Sequence, residues 1–369
     1  MDEQMIKIGF THGDINGISY ELLLKTFSDA RIVELCTPII YGSSKIAAYH
    51  RKALELPAIN MSSISRAEDV ASGRINIINC ANDEVKVELS RPTQISGEAA
   101  MQSLNAAVTD YKRGNLDAII TLPVSNRIIL SKFYPVLSSY LERTLKVEKG
   151  GALSMLLYDD TVRFALLTEN IPLSQVVQSV TKSSLVEKLL LLNRTLKEDF
   201  AIVKPRIAIL SLNPRAGAGH SEMEEESIII PAMNEVSEQG IIIFGPYPAD
   251  SFFGSRMYKQ FDCTMAMFYD QIAGACKVLY ETGGVHCTAG LPCVHTAPAH
   301  GAAYDIAGLN QASDDAFRRS IYTAIDIYRN RIAYRKATAN PLRKQYFDKD
   351  LGDDSVDLTK DENDDLLSL

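Results

Sequence analysis

A chain of 369 residues and 40.7 kDa is long enough for two domains, and 46% apolar with 23% charged residues excludes a wholly disordered protein. No apolar run reaches the ~18 residues that a bilayer crossing needs, so no membrane partner is expected. Of the net charge of −8, −7 lies between Asp348 and Leu369, where nine acids face two lysines; a body so near neutral argues against nucleic acid as a partner.

The apolar pattern alternates between two periods along the chain. Short runs rich in β-branched residues predict strands at 6–10, 38–41, 75–78, 118–121, 154–157, 163–167, 206–210, 241–244 and 285–288. Between them, helical spacing predicts helices over 97–113 (with Ser96 as N-cap), 173–196, 222–238 and 314–335. Little polar alternation in the strands predicts burial on both faces, hence an α/β fold with a largely parallel sheet. In such sheets ligands sit beyond the carboxyl ends of the strands, which directs attention to the loops that begin at Thr11, Thr121, Leu212, Gly245 and Tyr269. The stretch 346–369 has too few apolar residues to pack and is expected to be an acidic, disordered tail. The start Met1-Asp2-Glu3-Gln4-Met5 has no signal-peptide pattern, and six scattered cysteines read as reduced thiols, so the expected location is cytoplasmic.

The loops carry His12-Gly13-Asp14-Ile15-Asn16-Gly17-Ile18, Leu212-Asn213-Pro214, Gly245-Pro246-Tyr247-Pro248-Ala249-Asp250, Asp270-Gln271, Gly290-Leu291-Pro292 and His300-Gly301-Ala302-Ala303-Tyr304-Asp305-Ile306-Ala307-Gly308. In this order they resemble the 4-hydroxythreonine-4-phosphate dehydrogenase family, over residues 6 to 334. The resemblance implies two α/β/α domains with an interdomain cleft, like the isocitrate and isopropylmalate dehydrogenases. It implies domains at 1–125 plus 246–345, carrying the cofactor loop, and at 126–245, carrying the dimer interface. It also implies NAD-dependent oxidation and decarboxylation of a phosphorylated hydroxy amino acid on the route to pyridoxal phosphate (vitamin B6), by a homodimer.

Carried over residue by residue, the resemblance makes Asp250, Asp270 and Lys277 candidate catalytic residues. Ser139, Tyr140, Lys277, His286 and His295 become candidate substrate contacts. His300, Gly301, Ala303 and Asp305 become the candidate NAD loop, where imidazole can stack on adenine and a carboxylate can bind a ribose hydroxyl. No Gly-x-Gly-x-x-Gly fingerprint would have suggested a dinucleotide by itself.

The departures are concentrated at the chemistry. The family holds a divalent metal through three histidines, and here Asn170, Arg215 and Tyr269 stand at those places, so no metal ligands are expected. The family's Gly-His-Thr-Glu is matched with Ser138-Ser139-Tyr140-Leu141, and its Thr-Gly-Pro-x-x-Lys with 121–126, where Asn126 replaces the lysine. His286 and His295 replace an asparagine and the phosphate-binding arginine, and imidazole captures phosphate less well than a bidentate guanidinium. Two activities therefore stand side by side: a dehydrogenase whose activity is impaired, or a catalytically degenerate homologue that binds a ligand or regulates.

Other readings of single residues complete the set. Arg215 could act as a fixed cation in place of the metal, or pair with Glu222, Glu224, Glu225 or Glu226. His286, Cys287, Cys293 and His295 could form a zinc site, or be two buried thiols beside cleft-facing imidazoles. His12 reads as an acid or base, or as a turn residue; His50 reads as solvated and His220 as a loop residue. Met155, Met265 and Met267 read as core, and no nucleophile elbow is present.

Overall fold

The apolar runs pair edge to edge into one mixed sheet, here seen in a computed structural model that describes residues 5–80, 85–125, 136–147, 151–159, 161–218, 223–280 and 283–340. Its strands are β1 (Lys7–Thr11), β2 (Thr37–Gly42), β3 (Met61–Ile64), β4 (Ile75–Asn79), β5 (Ala118–Thr121), β6 (Leu153–Leu157), β7 (Arg163–Leu166), β8 (Arg206–Leu210), β9 (Ile242–Tyr247), β10 (Cys263–Ala266), β11 (Val285–Ala289) and β12 (Val294–Pro298). Their order across the sheet is β3-β4-β2-β1-β5-β12-β11-β6-β7-β10-β8-β9. Neighbours run parallel except around β11 and β6, where β12–β11, β11–β6 and β6–β7 are antiparallel. Met1–Tyr334 form one compact unit and Arg335–Leu369 a second. The expected tail at 346–369 lies outside the described residues, as do His220, Glu222 and Asn126.

All nine expected strands form. Three more were missed: β3 is a short Met-Ser-Ser-Ile edge strand, and β10 (Cys-Thr-Met-Ala) and β12 (Val-His-Thr-Ala-Pro) lack a β-branched run. Pairing with buried neighbours, on one side for β3 and on both for β10 and β12, rather than propensity, makes them strands. After 246 the chain places β10 between β7 and β8 and β11 beside β6, all strands of the 126–245 segment, and pairs β12 with β5.

Three helix expectations need correction. The helix expected from 97 starts earlier, as α4 (Gln94–Lys112), following α1 (Ser19–Phe27), α2 (Ile32–Leu35) and α3 (Ser44–Ala53). Thr93 is its N-cap and Ser96 is the third residue of a reciprocal capping box. After α5 (Leu137–Thr144), the stripe at 173–196 is two helices, α6 (Leu173–Ser179) and α7 (Lys182–Glu198). Extended backbone at Val180 and Thr181 separates them, and Thr181 caps the second in another box with Ser184. The expected 222–238 helix begins as a π-turn at Glu225–Ile229 and continues as α8 (Ile230–Glu238). Then come α9 (Ala249–Gly254), α10 (Asp270–Leu279) and α11 (Asp315–Thr338).

Alternation along the strands divides the core between the two faces of the sheet. On one face a single apolar cluster runs through both halves, from Ile8, Ile40 and Ile120 to Met155, Ile209 and Met265. On the other face the core is split. Ile39, Tyr41, Ile119 and Cys293 belong to one cluster, and Leu156, Phe164, Ala208 and Ala266 to another. The same parity places Thr121, His295, Thr288, His286 and Ser154 on this divided face, on the adjacent strands β5, β12, β11 and β6. A polar strip therefore interrupts the core at mid-sheet.

Candidate functional site

Each group in the strip is satisfied by its neighbours, as burial requires. The two ring nitrogens of His295 meet hydroxyls, Nε2 at 3.0 Å from Thr121 Oγ1 and Nδ1 at 2.9 Å from Thr288 Oγ1. Burial, reinforced by His286, pushes its pKa down to about 3, so the imidazole is neutral. Its neighbour His286, 6.3 Å away between ring centres, has Nε2 at 2.6 Å from Ser154 Oγ and 3.8 Å from Glu169 Oε1. Burial lowers the pKa of His286 too, against the opposing pull of Glu169. Ser138 Oγ donates to the other Glu169 oxygen at 2.7 Å. Ser, His and Glu meet here without forming a hydrolytic triad: serine and carboxylate address the same nitrogen, whereas a triad needs them on opposite nitrogens.

The strip leads to a cavity of about 470 Å³ at the carboxyl ends of β7 and β10. Thr168, Glu169, Asn170, Tyr269 and Asp270 form its polar side. Ile171, Leu173, Val176, Phe268 and Val136 are its apolar lining residues. Thr168 is fixed by its hydroxyl, which donates to Met267 O at 2.7 Å, and Gln271 Oε1 receives the Met267 amide at 2.7 Å. These contacts tie the two loops into one rim. Glu169 was overlooked as a site residue, although a carboxylate at a strand's carboxyl end is a readable signal.

Other expected site residues are less convergent. Asp250 is exposed in the first turn of α9, and Lys277 is exposed two turns beyond Asp270 on α10. Ser139 is half-buried on α5, and Tyr140 is a buried side chain whose hydroxyl bonds Asn105, so it is part of the core. Arg215 is exposed, in a left-handed conformation with φ of 58°. Its expected acid partners are otherwise engaged: Glu225 accepts from the Asn213 amide at 2.8 Å, and Glu224 from Asn213 Nδ2 at 2.7 Å.

The first loop and the expected cofactor loop are clamped together. Asp14, fully buried, accepts from the Asn16 amide (2.9 Å), Ser96 Oγ (3.1 Å) and Tyr304 Oη (2.6 Å). Ile18 N donates to Ala302 O at 3.0 Å, and a Cβ on Gly17 would stand 2.5 Å from that oxygen, so glycine is required there. His300 Nδ1 lies 3.1 Å from Gly301 O, while buried Nε2 has no partner among the described residues. Nothing lies within 4 Å of a Cβ built on Gly301, Ala303 is left-handed (φ of 42°), and Asp305 is exposed. An unpaired imidazole nitrogen beside open backbone fits a purine, so His300, Gly301, Ala303 and Asp305 could hold a nucleotide.

His12 and His50 are structural. His12 Nε2–H donates to Ala99 O at 3.0 Å, leaving Nδ1 to accept from Tyr20 Oη at 3.0 Å; burial lowers its pKa to about 4. His50, expected in solvent, is buried: it stacks on Tyr20 and donates to Ile15 O at 2.8 Å. Cys287 belongs to the continuous core and Cys293 to one of the separate clusters, and burial raises both thiols to about 12. All six cysteines are free.

Residues 34–324 match the family model of the pyridoxal phosphate biosynthetic protein PdxA. The chain belongs to this family. It is 49% identical over 364 residues to a 4-hydroxythreonine-4-phosphate dehydrogenase of Bacteroides thetaiotaomicron, covering 98% of this chain and 99% of that one. It is 36% identical to the enzyme of that name from Sulfurihydrogenibium sp., covering 89% and 100%. Among solved structures, a 4-hydroxythreonine-4-phosphate dehydrogenase from Burkholderia phymatum aligns at TM-score 0.69 and 27% identity, over 88% of this chain and 99% of that one.

Asn170, Arg215 and Tyr269, the side chains expected where metal ligands would lie, do not suit a divalent cation. Arg215 has no lone pair to give, Asn170 offers a neutral amide, and the Tyr269 phenol is raised by burial and then by Asp270, which keeps it protonated. Only Asn170 and Tyr269 line the cavity. Among the described residues no group of three or more His, Cys, Asp or Glu could hold a metal ion, the set His286, Cys287, Cys293 and His295 included.

Proposed function

We propose that this chain is a 4-hydroxythreonine-4-phosphate dehydrogenase-like protein that keeps the family's cleft and nucleotide loop and lacks its metal-assisted chemistry, acting as a ligand-binding or regulatory protein. The observation that carries the reading is the set Asn170, Arg215 and Tyr269, whose chemistry suits no divalent cation. NAD is the nucleotide proposed for His300, Gly301, Ala303 and Asp305, supported by the unpaired His300 nitrogen. When bound, it would supply a hydride acceptor. The residues of this chain would orient the adenosine end, with imidazole against the purine and Asp305 toward a ribose hydroxyl.

A second reading keeps the family reaction, NAD-dependent oxidation and decarboxylation of a phosphorylated hydroxy amino acid in pyridoxal phosphate biosynthesis, with Asp250, Asp270 and Lys277 in the cleft. It is favoured by 49% identity across nearly the whole chain. In both readings the family resemblance supports a homodimer, and six free thiols support a cytoplasmic location. The deciding experiment uses the purified full chain. Its metal content is measured, its melting is followed with zinc, magnesium or NAD, and NADH formation is monitored with 4-hydroxythreonine-4-phosphate. The first reading expects no stoichiometric metal, no upward shift with either cation, an upward shift with NAD, and no NADH formation. Tightly bound metal together with sustained NADH formation establishes the second reading instead.

A further inference from the structure

Four strands lie side by side at one end of the sheet in the order β7, β10, β8, β9, each parallel to its neighbour. Their carboxyl ends share one edge, so the loops that follow them are within reach of one another. The loop after β7 brings Thr168, Glu169 and Asn170 to the cavity, and the loop after β10 brings Phe268, Tyr269 and Asp270. The loop after β8 carries Arg215 in its left-handed turn.

The main chain of Met267 is the hub of these loops. Its carbonyl accepts from the Thr168 amide at 3.1 Å and from the Thr168 hydroxyl at 2.7 Å. Its amide donates to Gln271 Oε1 at 2.7 Å. The other end of the same side chain, Nε2, donates to Ser211 O at 2.6 Å, across 60 residues of sequence. Ser211 is buried, and its own amide donates at 2.8 Å to the carbonyl of Tyr247, the last residue of β9. One side-chain amide therefore bridges the loop after β10 to the loop after β8, in the middle of a run of bonds reaching from β7 to β9.

The two ends of the bridge have opposite needs, an acceptor for an amide N–H and a donor for a carbonyl. Glutamine supplies both in one planar group. An ionised glutamate would keep the acceptor but set an oxygen against the Ser211 carbonyl, and a methionine of similar length would make neither bond. Gln271 is not among the residues lining the cavity, so its effect passes through the loop that holds Tyr269 and Asp270.

We propose that Gln271 is a positioning residue for this cavity: it fixes Tyr269 and Asp270 between the loop of Asn170 and the loop of Arg215, and binding of the phosphorylated substrate depends on that placement. The proposal deepens the reading of this cavity as the ligand site and rests on it. Small displacements of contact groups are costly to binding geometry, which gives a bridge outside the cavity its leverage.

The test titrates 4-hydroxythreonine-4-phosphate calorimetrically into the full chain and into Gln271→Met, and follows the melting of each with NAD. Gln271→Met is expected to weaken the phosphorylated substrate about tenfold. The upward melting shift with NAD is expected to stay, because the His300 loop is bonded to the loop after β1. Amide exchange read by mass spectrometry is expected to accelerate at 211–217 and at 267–271 together. Gln271→Glu, which keeps size and acceptor, is expected to weaken the substrate similarly, and it carries the test if Gln271→Met shows a folding defect by far-ultraviolet dichroism. The proposal is overturned if substrate affinity is unchanged, if the NAD shift falls as much as substrate affinity, or if exchange at 211–217 is unaltered. Each of these leaves the cavity standing as the ligand site. Failure of the native chain to bind the substrate at millimolar concentration overturns both, so the two can fail separately.

Discussion

His12, His50 and His295 are enclosed with their ring nitrogens facing hydroxyls and carbonyls of the fold. Burial holds them near pKa 4, 4 and 3, against about 6.5 in an unfolded chain. Because the folded values are depressed, the unfolded chain takes up protons first on acidification. Their contribution is complete above about pH 6.5 and is lost as pH falls toward the folded values, by about 2 kcal/mol for each at pH 5. Scanning calorimetry from pH 7 to pH 5 should therefore show a falling melting temperature, and His50→Gln should flatten that slope while lowering the melting temperature at pH 8. A flat profile would mean that these rings are already exposed. None of this was legible in composition. His50 stands between Tyr49 and Arg51 in a polar stretch, and only the packing of Tyr20 against α3 encloses it.

At the scale of elements, periodicity located the strands and long helices, but not the residues that cap them. Ser96 was legible as a helix-start residue. It stands instead as the third residue of the helix capped by Thr93, and its hydroxyl also donates to Asp14 at 3.1 Å. This yields an ordering that a simple N-cap at Ser96 would reverse. Thr93→Ala should cost about 1 kcal/mol in a denaturant titration, by loss of the cap. Ser96→Ala should cost more, up to about 3 kcal/mol, because it also removes a donor from a buried carboxylate. In the same way, the break between α6 and α7 was invisible in an apolar stripe that continues through both, and is imposed by the extended Val180 and Thr181 backbone.

At the scale of the molecule, Asp14 joins three segments far apart in sequence: the loop after β1, the start of α4, and the loop of His300 through Tyr304. Tyr304→Phe removes the shortest of these bonds and leaves the ring. Amide exchange is expected to accelerate across the loop of residues 299–312 and remain unchanged in β1 and β5, read by mass spectrometry. Equal acceleration in those strands would show that the contact supports the whole core and not the loop.

By itself, the chain's order of apolar runs and glycine-rich loops determined an α/β sheet and the family. Those properties depend on local periodicity and on residue identity, which are present before any folding. Only the tertiary structure decided that a single core underlies both halves of the sheet, that β10 sits with β7 and β8, and that the two histidines at mid-sheet are neutral while Glu169 reaches the cavity. Burial, protonation and facing depend on which strands become neighbours, and that is settled by long-range pairing across the sheet, not by the identity of nearby residues.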